Sequence, residues 1–590
     1  MQPGQKTISR LKWIQKWGIC QEGCGNFFFW NEQLCSWTKR DRRKKICCGA
    51  DNGKNQFLSS FRYKFTYVCF GFLLCTMMSC SQNKPSKPFK TQSLRINLKK
   101  EPVSLDPRKG NDMVTSQIHF MLYEGLFRLN PDMSLTLAQA ESYEVSPDRK
   151  TYLFHLKNTS WSDGSPVTSY DFQKAWLSIL DPNFPSPDAY LLYSIRNAKS
   201  AKEGKLPLNQ VAIQAKDPKT LIVELETPTP YFLQILASSV LLPVNAAKDQ
   251  SNPNWPNEPE HLLSNGPFKL KDWKFNQEMV FEKNPLYHQA SKVKLHHIFI
   301  DIIEREMAVL RMYACGHFDL IGTPLSFFPN ELLDDLENRK LLTFYPVANT
   351  KFLAFNTSSL PFQNTNIRKA FAHAIHRKSI VDHITRLNEK EALNIIPPAL
   401  LAEDVPYFSD GDSIKAKEYL QKGMDELQAT DLGKITFMYV SSEINHLIAQ
   451  SLQQMWSNIL NLRVDLQHVE FKTLHERSTK GDFSIGLFAW LADYGDSMNI
   501  LERFIDKNNH RNYPKWENNI YCDLIQEAHE AKTQSQYLEK IKQAERFLIE
   551  EMPLTCLFHE NYTFLIHPRV KGFAVSPLGH IYFDQITIDQ

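Results

Sequence analysis

Tyr152-Leu153-Phe154-His155-Leu156-Lys157 leads into Trp161-Ser162-Asp163-Gly164-Ser165-Pro166-Val167-Thr168 and then Asp171-Phe172. Tyr152, Phe154 and Leu156 alternate with Leu153, His155 and Lys157, the period of a strand with one face on a core. Asp163-Gly164 after Trp161 reads as a turn at the strand's end, anchored by burial of the indole. Leu221, Val223 and Leu225 face away from Glu224 and Glu226 in the same manner. Turn residues bound the two strands at Ser146-Pro147-Asp148 and Lys216-Asp217-Pro218. Elsewhere the period is helical. Asn366 is expected to cap IRKAFAHAIHRKSIVDHI, whose Ile367, Phe371, Ala374 and Ile375 form an apolar stripe. Asp412 or Ser413 caps IKAKEYLQKGMDEL, and a third helix spans Ile444 to Ile459. Strands alternating with helices predict an α/β protein of mixed sheets in more than one lobe.

Composition supports folded domains. The 590 residues are 42% apolar and 23% charged, with a net charge of +3, which excludes disorder for the bulk of the chain. Gly (22) and Pro (32) are ordinary, so a collagen-like chain is excluded too. Residues 1–64 carry 13 Lys/Arg against 4 Asp/Glu; taken from totals of 68 and 65, that leaves the body at −6. A mildly acidic body argues against phosphate-backbone binding, and no nucleic-acid partner is expected. Eight of the eleven cysteines lie in the first 80 residues. Cys20, Cys24, Cys35, Cys47 and Cys48 lack the paired spacing of a zinc site, and Cys315, Cys522 and Cys556 are too sparse for a disulfide framework. His373 and His376 stand three apart with no third ligand, so no metal is expected there.

Arg62 and Lys64 precede an uncharged run, Phe65 to Met78, of signal-peptide rather than membrane-spanning length. Met77-Met78-Ser79-Cys80-Ser81 follows, similar to a bacterial lipoprotein box in which Cys80 is lipidated. Residues 61–80 therefore read as a lipoprotein signal, and 81–91 as a polar tether. Residues 1–60 are a basic, Cys-rich extension: either the start lies further downstream or a leader of unknown role precedes the signal. The expected location is the bacterial cell envelope, in the periplasmic space and lipid-anchored to a membrane.

G-x-S-x-G, H-E-x-x-H, G-x4-G-K-[ST] and G-x-G-x-x-G are all missing, so the sequence nominates no nucleophile, metal or cofactor. Eight ordered blocks carry a resemblance instead. Around the opening stretch lie Ser104-Leu105-Asp106-Pro107, Tyr123-Glu124-Gly125-Leu126, Ser264-Asn265-Gly266-Pro267-Phe268 and Glu282-Lys283-Asn284-Pro285-Leu286-Tyr287. Gly316-His317-Phe318-Asp319-Leu320, Phe355-Asn356-Thr357 and Trp490-Leu491-Ala492-Asp493-Tyr494 complete the series. Over about 92–590 the chain resembles the peptide-binding branch of the extracellular solute-binding proteins, family 5, which serve ABC importers. Most of these blocks, the turns at Asp163-Gly164, Asn265-Gly266 and Asn284-Pro285 among them, read as fold markers rather than ligand contacts.

The resemblance implies a two-lobed periplasmic binding protein (class II, large three-domain type) with a hinge, closing around an extended peptide. Lobe I would comprise 92–127, 250–352 and 560–590, an inserted small domain 128–249, and lobe II 353–559. It implies a monomer that performs no chemistry and delivers oligopeptides to ABC permease subunits. Asp493 would receive the peptide's α-ammonium. Trp490, Phe471 and Tyr190 would wall side-chain pockets, and Tyr494 belongs to the same block. Three departures remove charge from the expected cleft. Leu487 stands where an Arg is usual; Asn445 stands for a His, with His446 beside it; Asn111 stands for a Glu, with Asp112 beside it. They point to recognition centred on the ammonium. A dedicated solute (muropeptide, dipeptide, haem or nickel) and a surface interaction protein that kept the fold are the alternative readings.

Overall fold

The computed structural model describes residues 92–589 apart from 111 and 402–405. The expected signal, the tether, Cys80 and Asn111 lie outside the described residues. The alternation at 152–156 forms the strand Thr151–Leu156, with Tyr152, Phe154 and Leu156 buried. It pairs antiparallel with Ala140–Val145 and Thr220–Glu224, and Ile213–Asp217 completes a four-stranded sheet. Trp161 is fully buried and donates its Nε1–H to Asp171 Oδ2 at 3.3 Å. The same oxygen accepts from the Thr168 N–H at 2.8 Å, closing the N-terminus of the helix Ser169–Ile179. Gly164 sits at φ +90°, a left-handed turn that a side chain would strain, and its N–H bonds Trp161 O at 2.9 Å. The Asn265 side chain bridges backward, accepting from Glu124 N at 3.0 Å and donating to Glu124 O at 2.9 Å. These motifs hold the fold together.

The principal sheet is mixed. From one edge it runs Val464–Val469, Ile435–Val440, Ile485–Leu491, Thr343–Phe355, Leu554–Ile566, Leu320–Gly322, Ser93–Leu98, His297–Ile302, Glu278–Lys283 and Phe268–Lys274, with Lys390–Glu391 beside Leu554–Ile566. Thr343–Phe355 and Leu554–Ile566 are 13 residues each and antiparallel. The first half of Thr343–Phe355 pairs only with the end of Leu554–Ile566 that neighbours Leu320–Gly322; its second half pairs also with Ile485–Leu491. The register shifts between Pro346 and Thr350 and between Lys351 and Phe352. Bulges of this kind bend a strand and turn its side chains, here where the two halves of the sheet meet.

Helices cover the sheet. Glu443–Leu460 crosses between the parallel strands Ile435–Val440 and Val464–Val469, burying Ile448, Leu452 and Trp456. Ser413–Leu427 starts at Asp412, which accepts from Lys415 N at 3.0 Å. The helix expected from Asn366 is corrected at both ends. Asn364 is the cap of Thr365–His373, and a new turn begins at Arg377 after a break. The break lets Arg377 bury its guanidinium fully against Cys556 O (2.6 Å), Thr555 Oγ1 (2.7 Å) and Asp410 Oδ1 (3.0 Å). Five guanidinium hydrogen bonds outweigh the few intrahelical bonds given up. His373 is buried between Phe408 and Tyr419 while His376 is exposed, so the pair does not converge. Among the described residues no metal-ligating cluster occurs, and no helix is long and apolar enough to cross a membrane.

Candidate ligand-binding site

A cavity of about 640 Å³ opens against the strand Ile485–Leu491 and the loop that follows it. That is the size range of small-ligand sites. Leu487, Ala489, Trp490 and Asp493 line it from this strand and loop; Asp188 and Ser238 face it from the segment around the four-stranded sheet. Phe471, the 72% exposed first residue of the helix Phe471–Lys480, stands at its rim.

Asp493 is held at one oxygen only. Its Oδ2 accepts from Arg511 Nη1 at 3.3 Å, from Asn499 Nδ2 at 3.4 Å and from the Tyr190 hydroxyl. Arg503 Nη2 lies 3.7 Å from the same oxygen. Oδ1 accepts no hydrogen bond from any described residue, and the side chain is 27% exposed. A carboxylate offers about four lone-pair positions, so half of this one's capacity is open to the cavity.

Asn499, in the short helix Met498–Leu501, fixes the surrounding geometry. Its Oδ1 accepts from Trp490 Nε1 (3.2 Å), Asp493 N (3.0 Å) and Arg503 Nη2 (3.1 Å). Arg503 stacks on Trp490, and Arg511 lies 4.2 Å from the Tyr190 ring centroid and 4.7 Å from that of Trp490. Arg511 Nη2 also donates to Asp188 Oδ1 at 2.8 Å, so one guanidinium bridges two carboxylates from distant parts of the chain. Burial, with Asp493 nearby, pushes Asp188 up to about 6 against the opposing pull of Arg511. Burial lowers Arg503 to about 9. The Tyr190 hydroxyl is pushed well above its usual range by burial and then by Asp493, so it donates and does not ionise. Burial, then Arg511 and His475, lower His510 to about 4 and hold it neutral.

The structure places the other expected residues unequally. Asn445 lines the cavity: Nδ2 donates to Val440 O at 3.1 Å, which fixes the amide's orientation, and the buried Oδ1 has no partner. His446 is exposed, off the cavity wall, with Nδ1 2.7 Å from the Tyr439 hydroxyl. Tyr494 is corrected to a packing residue. It is 1% exposed, stacked 5.0 Å from Tyr231, and its hydroxyl donates to Glu502 at 2.9 Å. Tyr494 thus packs beneath the loop that follows the strand Ile485–Leu491 instead of lining the cavity. Asp112 does not replace the missing carboxylate, because both its oxygens are engaged by Thr115 (3.1 and 2.6 Å) as a helix cap. The expectation of a charge-depleted cleft is also corrected. Leu487 is apolar, yet Arg503 and Arg511 bring two guanidiniums to the same corner, balancing Asp188 and Asp493.

The comparisons with known proteins agree with this architecture. Residues 134–512 match the model of the bacterial extracellular solute-binding proteins, family 5. The oligopeptide-binding protein OppA of Bacillus subtilis is 37% identical over 499 residues, 83% of this chain and 92% of that protein. The dipeptide-binding protein DppE of the same organism is 34% identical, over 83% of this chain and 90% of that one. Haemophilus influenzae OppA, solved in complex with the peptide RPPGFSPFR, superposes with a TM-score of 0.73 at 25% identity, covering 85% of this chain and 99% of that one. The fold is therefore that of the two-lobed periplasmic binding proteins. With a family model spanning more than half its length and a 37%-identical relative along most of it, this chain belongs to the bacterial extracellular solute-binding proteins, family 5.

Proposed function

We propose that this protein is an extracytoplasmic receptor that captures oligopeptides in the 640 Å³ cavity and hands them to an ABC permease, performing no chemistry itself. The observation that carries the reading is Asp493, with Oδ2 saturated by the protein and Oδ1 open to the cavity. A peptide ammonium donates three hydrogen bonds and needs a carboxylate when it leaves water. The unpartnered Asn445 Oδ1 supports the same reading, since an extended ligand presents backbone N–H groups. Trp490 and Tyr190, held in place by the two guanidiniums, wall the ammonium's position, and Phe471 covers the rim. The names of the relatives point the same way. The run Phe65–Met78 before Ser79-Cys80 supports export and lipid anchoring at Cys80. The division that goes with this reading is a first lobe of 92–127, 250–352 and 560–590, an inserted small domain of 128–249 and a second lobe of 353–559.

Indole fluorescence gives a direct test, because Trp490 reports on Arg503 and Arg511. Titration with trialanine is expected to change the emission saturably, and N-acetyltrialanine to leave it unchanged at the same concentrations. A protein that responds to neither, or to both equally, would defeat the reading.

A further inference from the structure

The chain enters the described fold at Gln92, and this root is clamped. Gln92 O accepts from His296 N at 2.6 Å, and its side chain donates to Ile588 O at 2.7 Å and accepts from Ile588 N at 2.9 Å. Ser93 pairs with His297, His297 with Glu282 and Glu282 with Lys269, so the root shares one end of the principal sheet with three neighbouring strands. The loop before His297 carries Lys292, Lys294 and His296, all exposed. Lys283 donates to Val293 O at 2.8 Å, Lys292 to Gln289 Oε1 at 2.9 Å and Lys294 to Ser291 O at 3.2 Å; none of the three makes an ion pair with a described residue. Lys269 and Lys271 share the single carboxylate of Glu282, at 3.0 and 3.2 Å. Burial first, then Lys271, lower His297, with His296 adding to the repulsion and Glu282 opposing it. Nearby Arg569 and Lys571 are matched by Asp319 and Asp589. Five lysines against Glu282 leave this face at +4.

The rest of the molecule has the opposite sign. The body carries −6, and −9 once Lys84, Lys87 and Lys90 of the segment 81–91 are set aside; that segment holds no acid. An anionic bilayer therefore repels most of this protein and attracts one face of it. The field of such a surface falls off within about 10 Å. A chain anchored at Cys80 keeps Gln92 within at most about 40 Å of the membrane, the extended length of the intervening residues. The basic face surrounds that root, so it is the part of the fold presented to the headgroups at high effective concentration.

We propose that the face formed by Lys269, Lys271, Lys283, Lys292 and Lys294 docks on the anionic lipid headgroups of the bilayer to which the receptor is tethered, so that the Ser93 end of the principal sheet stands against the membrane. The proposal rests on the lipid-anchoring reading above and adds an oriented contact to it. Each lysine offers a headgroup phosphate a point charge and rotatable donors, a contact that needs no shaped pocket. An acyl anchor restrains one residue of the chain; the lysines restrain the folded body.

Gln92–Gln590 is a compact unit by itself, so the fragment Ser81–Gln590 keeps the face while leaving out Cys80 and the basic residues before it. Its co-sedimentation is measured with vesicles of phosphatidylcholine alone and of phosphatidylcholine with one-third phosphatidylglycerol, at about 0.1 M salt. Binding to the anionic vesicles only, with release at about 1 M salt, is expected. The triple variant Lys271→Glu, Lys292→Glu, Lys294→Glu should partition at least tenfold less, with its melting temperature unchanged. A control with the same change of charge, Lys415→Glu, Lys417→Glu, Lys422→Glu on the helix Ser413–Leu427, should stay within about threefold of wild type. Wild-type fragment left in solution, equal binding to uncharged vesicles, a triple variant that binds like wild type, or a control that loses as much would overturn the docking face. Any of these leaves the peptide and anchoring readings standing, since trialanine binding and the acylation of Cys80 in membrane-extracted protein are read separately. Cys80 found without acyl chains would overturn the anchoring reading, and this inference with it.

Discussion

Asp493→Asn is the most informative single substitution. It keeps the side chain's volume and leaves an acceptor for Tyr190 and Arg511, so the cavity's shape survives. It changes the charge of the corner, where Asp188 and Asp493 balance Arg503 and Arg511. Without the aspartate charge the corner becomes net positive and repels an incoming ammonium. A charge-assisted hydrogen bond contributes about 1.5–3 kcal/mol. The carboxylate is 27% exposed, so the larger penalties of fully buried pairs do not apply. The expected loss is about 10- to 150-fold in affinity for a free-amine peptide. Calorimetry with trialanine and N-acetyltrialanine would measure it, with thermal unfolding as a check on the fold. The acetylated ligand, which wild type binds poorly, should be unaffected by the substitution. Undiminished binding of trialanine by the variant, or an equal loss for both ligands, would refute the assignment of Oδ1 as the ammonium's acceptor.

Three further outcomes follow from the same structure. Asn499→Ala removes the acceptor shared by Trp490, Arg503 and the Asp493 N–H, leaving the indole and the Asp493 amide without another; it should weaken trialanine binding more than tenfold and lower the melting temperature by several degrees, whereas an unchanged affinity would show that Asn499 does not position the site. Asp188, raised to about 6, is protonated below that pH in the empty protein, and an ammonium nearby favours its charged form. Trialanine affinity should therefore rise about three- to tenfold between pH 5 and 7, with proton release seen in buffers of different ionisation enthalpy, and it should be pH-independent in Asp188→Asn. His119 and His580 are buried and lowered to about 4 from 6.5, so the unfolded chain takes up protons that the fold refuses as pH falls from 6.5 toward 4. Stability that is full above pH 6.5 should be lost across that window, by roughly 2 kcal/mol per histidine at pH 5, and His119→Gln should flatten the denaturation profile.

Local signals were legible in the sequence. The strand at 151–156, its turn at Gly164 and the helices near 413–427 and 443–460 depend on alternation, turn residues and caps within a few positions. The two 13-residue strands were not legible, because their buried segments are covered on both faces and carry no alternation, while Pro346 and Glu560-Asn561 interrupt their apolar runs. The break before Arg377 is set by partners near residue 556 that no window of sequence contains.

The site divides in the same way. Asp493 and Trp490 stood out through their block, and both lie on the cavity. Arg503 lies in the short 3-10 helix Glu502–Ile505 and Arg511 in the loop after it, neither in a motif, and what makes Arg511 matter is Asp188, more than 300 residues upstream. Two arginines eight apart just after the block were the available sign. Tyr494 shares the block with Asp493, and adjacency in a loop does not separate a residue on the cavity from one packed in the core.

The central claim is that the cavity holds oligopeptides, and native mass spectrometry of the purified protein tests it most directly, followed by denaturation and sequencing of what is released. The account predicts a heterogeneous set of short peptides at one per protein, with free termini at both ends. An empty protein that also fails to take up an added peptide library, or one recurrent non-peptide mass, would contradict it.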